Sequence, residues 1–278
     1  MPLGGSKVAD ASAASSSKRR SHRPRKLSAS ATPAVSPASF RMIQTMHDIS
    51  RDVFAAATTG FVPSPNDVAR LSGFLNGVTL QDLGLDATMP YFRADSQGRP
   101  RVTYLHFANS RTLSFGVFCL PQSAVIPLHD HPGMTVFSKI LLGSMQIKSY
   151  DWVKAPISGN QALRAPSGAR LAKLDTDAVF DASSETVVLY PEAGGNLHCF
   201  TAMTPCAVLD VMGPPYCHDE GRDCSYYLAK ICPVGMDSTF GSRKCPATSK
   251  WRLFICARVF RGEILGSRSS TGEDSDLL

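Results

Sequence analysis

The stretch Ile126-Pro127-Leu128-His129-Asp130-His131-Pro132-Gly133 closes an apolar run with two histidines two positions apart. In a strand, residues i and i+2 project from the same face, so His129 and His131 point together while Asp130 faces away. Pro132-Gly133 then ends the strand in a turn. A third histidine follows a second turn signal, in Pro191-Glu192-Ala193-Gly194-Gly195-Asn196-Leu197-His198. If the fold sets these two stretches side by side, three imidazoles meet on one face of a metal ion. Imidazole suits zinc, copper, iron and nickel alike, so the donors alone do not name the metal.

On both sides of this stretch the chain reads as short β-rich runs punctuated by Gly, Pro, Asn, Asp and Ser: Val102–Ala108, Thr112–Leu120, Ala124–Asp130, Thr135–Leu142, Met145–Val153, Arg170–Leu174, Thr186–Leu189, Leu197–Met203 and Ala207–Met212. Many short strands at about ten-residue spacing, with no helix between them, predict an antiparallel sandwich or barrel. Ahead of them, Ile43, Met46, His47, Ile49, Val53 and Phe54 recur at three- and four-residue steps, one face of a helix. Ser64-Pro65 followed by Asp67 reads as an N-cap, a first-turn proline and a first-turn acid, starting a second helix through Leu71, Phe74 and Leu75. Thr79 with Asp82 suggests one further helical turn.

The charge is unevenly placed. Lys and Arg number 29 against 23 acids, a net of +6. Residues 1–40 hold seven of those basic residues and a single acid, Asp10, which leaves 22 of each sign in the rest. The body is therefore neutral by formal count and its charge is no argument for nucleic-acid binding. The tail is rich in Ser, Ala, Pro, Lys and Arg and nearly devoid of large apolar side chains, a composition expected to stay disordered. Its run Lys18-Arg19-Arg20-Ser21-His22-Arg23-Pro24-Arg25-Lys26 reads as a nuclear import signal, ranked above an organelle transit peptide and beside a merely solvated tail. Eight cysteines without a CxxC pair argue against a zinc ribbon or a secreted disulfide framework, and reduced thiols are expected. No run approaches the ~20 apolar residues of a spanning helix, so no membrane role is expected.

The HxH strand end, the turn at Gly143 and the later Pro191…Gly195…His198 resemble the two half-motifs of the cupin superfamily, although Thr135 and Val136 stand where most cupins carry a glutamate ligand. More closely, Pro127-Leu128-His129-Asp130-His131-Pro132-Gly133-Met134-Thr135-Val136-Phe137, Gly194-Gly195-Asn196-Leu197-His198-Cys199-Phe200 and Ala207-Val208-Leu209-Asp210-Val211-Met212-Gly213-Pro214-Pro215-Tyr216 resemble the plant cysteine oxidases, as do Gly60-Phe61-Val62-Pro63-Ser64-Pro65 and Met89-Pro90-Tyr91-Phe92-Arg93. The resemblance spans roughly residues 40–228. It implies a mainly β, cupin-type double-stranded β-barrel, jelly-roll-like, with an N-terminal helical preface.

It also implies an iron(II) dioxygenase that converts the N-terminal cysteine of a protein to cysteine sulfinic acid with O2. His129, His131 and His198 then hold Fe(2+), Asp210 positions the substrate amine or a proton, and Tyr216 and Cys224 act near the cavity mouth. The implied substrates are proteins with an N-terminal Cys, among them ethylene-response-type transcription factors, whose sulfinylation feeds arginylation and degradation. A monomer in nucleus and cytoplasm is expected. His106 is expected to be a hydrogen-bonded core histidine, and His22, His47 and His218 carry no assigned role.

The domain reading is a basic tail over 1–39, a thiol dioxygenase domain over 40–230 (preface 40–95, barrel 101–230) and an atypical C-terminal extension over 231–278. After Ser225-Tyr226-Tyr227 the chain departs from the family pattern, with strand-like alternation near 251–260. Two other functions stay open: a different metal-dependent cupin enzyme using zinc or nickel, and a cupin binding module that has lost turnover through its altered C-terminus.

Overall fold

The computed structural model describes residues 36–153, 170–232 and 252–257. The basic tail and most of the segment beyond 232 lie outside the described residues, so the disorder and import readings made for the tail do as well. Two helices come first, α1 (Pro37–Val53) and α2 (Pro65–Asn76). Each starts as its sequence dictates: Ser36 and Ser64 cap through side-chain oxygens that accept from the N–H three residues on, with proline in the first turn. α1 begins three residues before the change of texture at Phe40, because Ser36-Pro37 is itself a capping signal. Thr79 and Asp82 bond to each other's backbone N–H and start the short 3₁₀ turn Gln81–Leu83.

Among the described residues eleven strands follow: β1 (Thr103–Asn109), β2 (Ser114–Leu120), β3 (Val125–His129), β4 (Thr135–Leu142), β5 (Ser144–Trp152), β6 (Arg170–Asp181), β7 (Val187–Leu189), β8 (Leu197–Ala202), β9 (Cys206–Gly213), β10 (Tyr227–Cys232) and β11 (Arg252–Ala257). They form two antiparallel sheets, β1-β2-β9-β4-β7 and β10-β11-β6-β5-β8-β3. The fold is thus the expected mainly β cupin type, with its barrel built as two facing sheets.

Strand β9 shows how the layers form. Every one of its residues is buried, because each face meets a different core. Ala207, Leu209 and Val211 face outward and pack with Phe54, Leu71 and Leu75 of the helical preface. Cys206 and Val208 face inward, against Ile126, Met145 and Phe200 of the second sheet. Burying a Leu or Phe contributes roughly 1.5–3 kcal/mol, so a strand covered on both faces is a major source of stability. Its one charged residue, Asp210, falls in the inward register.

Beyond the nine runs read from the sequence, β6 extends to Asp181 and β10 and β11 are added. β10 crosses the boundary drawn at 230, and β11, in the segment that departs from the family, pairs with both β10 and β6. The backbone of the altered C-terminus therefore supplies a strand to the second sheet.

Candidate metal centre

Strands β3 and β8 lie side by side with His129 opposite His198 in register. This meets the condition on which the two histidine stretches form one site. The three Nε2 atoms converge, with His198 at 3.1 Å from His131 and 3.1 Å from His129. All three side chains are buried. Burial holds each imidazole neutral, pushing His129 down to about 4 and His131 and His198 well below the usual histidine value.

The tautomers follow from the partners. His129 Nδ1 lies 2.8 Å from the Pro127 carbonyl, which only accepts, so that nitrogen carries the proton. The Tyr216 hydroxyl donates to the Asp130 carbonyl at 2.8 Å and therefore accepts from His131 Nδ1, also at 2.8 Å. In both rings the Nε2 lone pair is left facing the other histidines. Convergent lone pairs repel unless a cation sits among them. Metal–nitrogen bonds of about 2.0–2.1 Å separate two donors by about 2.9 Å on an octahedral face and about 3.3 Å at a tetrahedral centre, so 3.1 Å fits a metal of this bond length.

Two polar residues that sequence reasoning did not single out hold the centre in place. Buried Asn196 accepts from His131 N–H at 3.0 Å and donates to the carbonyls of His131 and Tyr190. Asp151 in turn accepts from the N–H groups of Gly195 and Asn196. Gly195 has φ +79°, and a Cβ there would collide with Ser149. The signal available in the sequence was the polar pair Asn196 and Asp151, each beside a motif residue. Asp130 faces away from the centre, as strand alternation requires, and binds Ser225 N–H at 2.9 Å and the Tyr227 hydroxyl at 2.7 Å.

Asp210 projects between the sheets and accepts a hydrogen bond from Ser138 Oγ. Ser138 and His198 line one cavity, so Asp210 stands behind the wall that the histidine shares. Burial pushes its carboxyl up to about 7. Tyr104 is a further inward group unmarked in the sequence. Its hydroxyl packs over Gly116, where a Cβ would come within 2.7 Å of it, and Gly116 pairs in register with Asp210.

Burial pushes the Cys224 thiol up to about 11, against hydrogen bonds with Tyr216 and Tyr226 that lower it, which favours the protonated thiol at neutral pH. His106 bonds weakly to Ser114 at 3.4 Å but is exposed, which corrects its placement in the core: its strand β1 is a sheet edge. Cys119, Cys199, Cys206, Cys217 and Cys224 are free thiols.

The Tyr216 hydroxyl acts on the metal only through His131. Tyr216→Phe is expected to weaken metal affinity about 10–100-fold with the fold retained, read by competition against a chelator. Unchanged affinity would show that the 2.8 Å contact does not orient the ring.

Three neutral, buried imidazoles between two antiparallel β-sheets define a metal-binding protein of the cupin class. The PCO_ADO family matches residues 74–252, well over half of the chain, and the chain belongs to it. It is 48% identical over 191 residues to plant cysteine oxidase 1 of Arabidopsis thaliana, covering 67% of this chain and 63% of that protein. It is 33% identical over 178 residues to 2-aminoethanethiol dioxygenase of Homo sapiens, covering 59% and 65%. The chain thus spans just under two thirds of the length of each. Among solved structures, an RmlC-like cupin protein from Desulfovibrio desulfuricans aligns with 19% identity and TM-score 0.29 over 44% of this chain and 89% of that one.

Proposed function

We propose that the protein is an iron(II)-dependent thiol dioxygenase that converts the N-terminal cysteine of proteins to cysteine sulfinic acid with O2. The observation that carries this reading is the carboxylate-free triad of His129, His131 and His198, in a chain 48% identical to a plant cysteine oxidase. The histidines would hold the metal, and iron(II) when bound supplies the redox chemistry with O2. Both added oxygen atoms come from O2 and the electrons from the substrate sulfur, so no second reductant is required.

The chain's own groups handle the rest. Neutral ligands leave the full charge of a bound cation uncompensated, which favours an anionic thiolate in the cavity. Asp210 receives the proton that the substrate thiol or ammonium gives up, a role suited to a carboxyl poised near neutrality. Ser138 orients that carboxyl by donating to one oxygen. Tyr216 holds His131, and Cys224 holds Tyr216.

Purified full-length protein loaded with iron(II) and incubated in air with a Cys-initiating peptide should give a product heavier by two oxygen atoms. Absence of that product from folded, iron-loaded protein would remove the proposal. A zinc or nickel cupin enzyme would instead hold those metals after purification without added metal and leave the peptide unchanged. We further infer action on transcription factors of the ethylene-response type in nucleus and cytoplasm, supported by the implied family role and by the Lys18–Lys26 cluster. A fluorescent fusion lacking residues 1–39 should lose nuclear enrichment, and unchanged enrichment would contradict the address.

A further inference from the structure

The cavity that His198 lines is small, about 40 Å³, room for about three water molecules. It accepts a terminal residue but not the polypeptide behind it. One of its walls is β7, where Val187 and Leu189 face the cavity. The alternate residues Thr186, Val188 and Tyr190 face the opposite side, where an open groove of about 550 Å³ runs between β7 and α2. Val62, Pro63, Val68 and Ala69 complete its apolar lining. Glu185, just before β7, borders both the cavity and the groove.

We propose that this groove binds the residues that follow the terminal cysteine of a protein substrate, the chain leaving the metal cavity past Glu185 and lying against α2. The proposal rests on the dioxygenase reading above and names where that substrate is held. Continuity through Glu185 argues for this occupant, since a polypeptide whose first residue fills the cavity has to pass out along its rim.

The groove is built rather than incidental. Thr186 N–H and Oγ1 both donate to Asn76 Oδ1 at 2.7 Å, locking β7 to the end of α2. Lys139 Nζ donates to the carbonyls of Ala182 and Ser184 at 2.7 Å each and holds the segment that carries Glu185. A preformed site of this kind spends little ordering entropy on binding. Val62, in the groove wall, keeps 55% of its surface exposed. A peptide lying there covers that apolar surface. The lining of the groove includes one carboxylate and no basic residue. The favoured occupant is therefore a neutral or basic segment with apolar side chains.

The test compares a Cys-Gly dipeptide with a ten-residue Cys-initiating peptide of neutral, apolar sequence, whose extended reach of about 33–36 Å exceeds the ~18 Å length of α2. Substrates are given to the iron-loaded full chain and to its Val62→Asp and Ala69→Glu variants, both changed at exposed positions and checked by thermal melting. For the long peptide KM should rise about tenfold with kcat kept, and for the dipeptide neither should change. Equal changes for both peptides, or none for the long one, would overturn the proposal. Anaerobic anisotropy with the labelled long peptide reads the groove without turnover. Binding that the two variants weaken upholds the groove even where wild type oxidises neither peptide, a result that sinks the reaction alone; no binding by wild type sinks the groove.

Discussion

The His198→Ala variant is expected to lose bound metal and turnover together while keeping its strands. The Nε2 atom of His198 lies 3.1 Å from that of each of the other two ligands, and it is carried by the neighbouring strand β8. Without it, His129 and His131 offer two donors from one strand end, and the site opens by the volume of an imidazole. The fold survives because His198 contributes its ligand atom to the centre, while β8 is held by its register with β3 and β5 and by Leu197 and Phe200. The most telling readout is linkage. Metal at a hundredfold excess over its dissociation constant stabilises the native state by about 2.7 kcal/mol, so wild type should melt higher on metal addition and the variant should not. Retained metal at wild-type affinity would show that the ligand assignment is wrong.

The second large effect is that of Asp210→Asn, which should lower kcat by about 10²–10⁴-fold with metal content unchanged. A stability measurement on metal-free protein gives an independent check, because the substitution also removes a buried ionisation. The Asp210 carboxyl rises from 3.8 to about 7 on folding because it is desolvated. A raised folded value means that the native state binds the proton more tightly than the unfolded chain. Its contribution is fully present below pH 4 and is lost as pH rises through about 7. That difference corresponds to at most about 4 kcal/mol at pH 8. Asn stays neutral throughout, so the variant should match wild type near pH 4 and exceed it at pH 8, as read by denaturant unfolding. The histidines act in the opposite sense. Their depressed values give stability present above 6.5 and lost as pH falls toward about 4, so the variant should show a steeper acid loss than wild type. A pH-independent difference between the two proteins would refute the buried ionisation.

Much of this architecture could be read from local chemistry. Thr135–Leu142 is legible because Val136 and Ile140 lie on one buried face and Phe137 and Leu141 on the other, between turn residues at each end. The helix starts were legible because a cap acts within three residues. The sequence ends β6 at Leu174 because Asp175, Thr176 and Asp177 look like a turn, whereas Asp177 and Thr176 pair with Lys148 and Ser149 of β5 and Asp175 falls at a bulge. β10 carries too little alternation to be seen, and it exists through its pairing with β11.

For the centre, sequence alone determined the donor types, the pairing of His129 with His131 and the turn that precedes His198, since strand periodicity and glycine turns are local. Only the tertiary structure decided that His198 lies beside the pair, that Asn196 ties the two stretches across 65 residues, and that Asp210 meets Ser138 across 72. It alone decided the protonation states as well. A side chain's proton affinity follows from the water its neighbours exclude, and those neighbours are assembled by folding from both sheets.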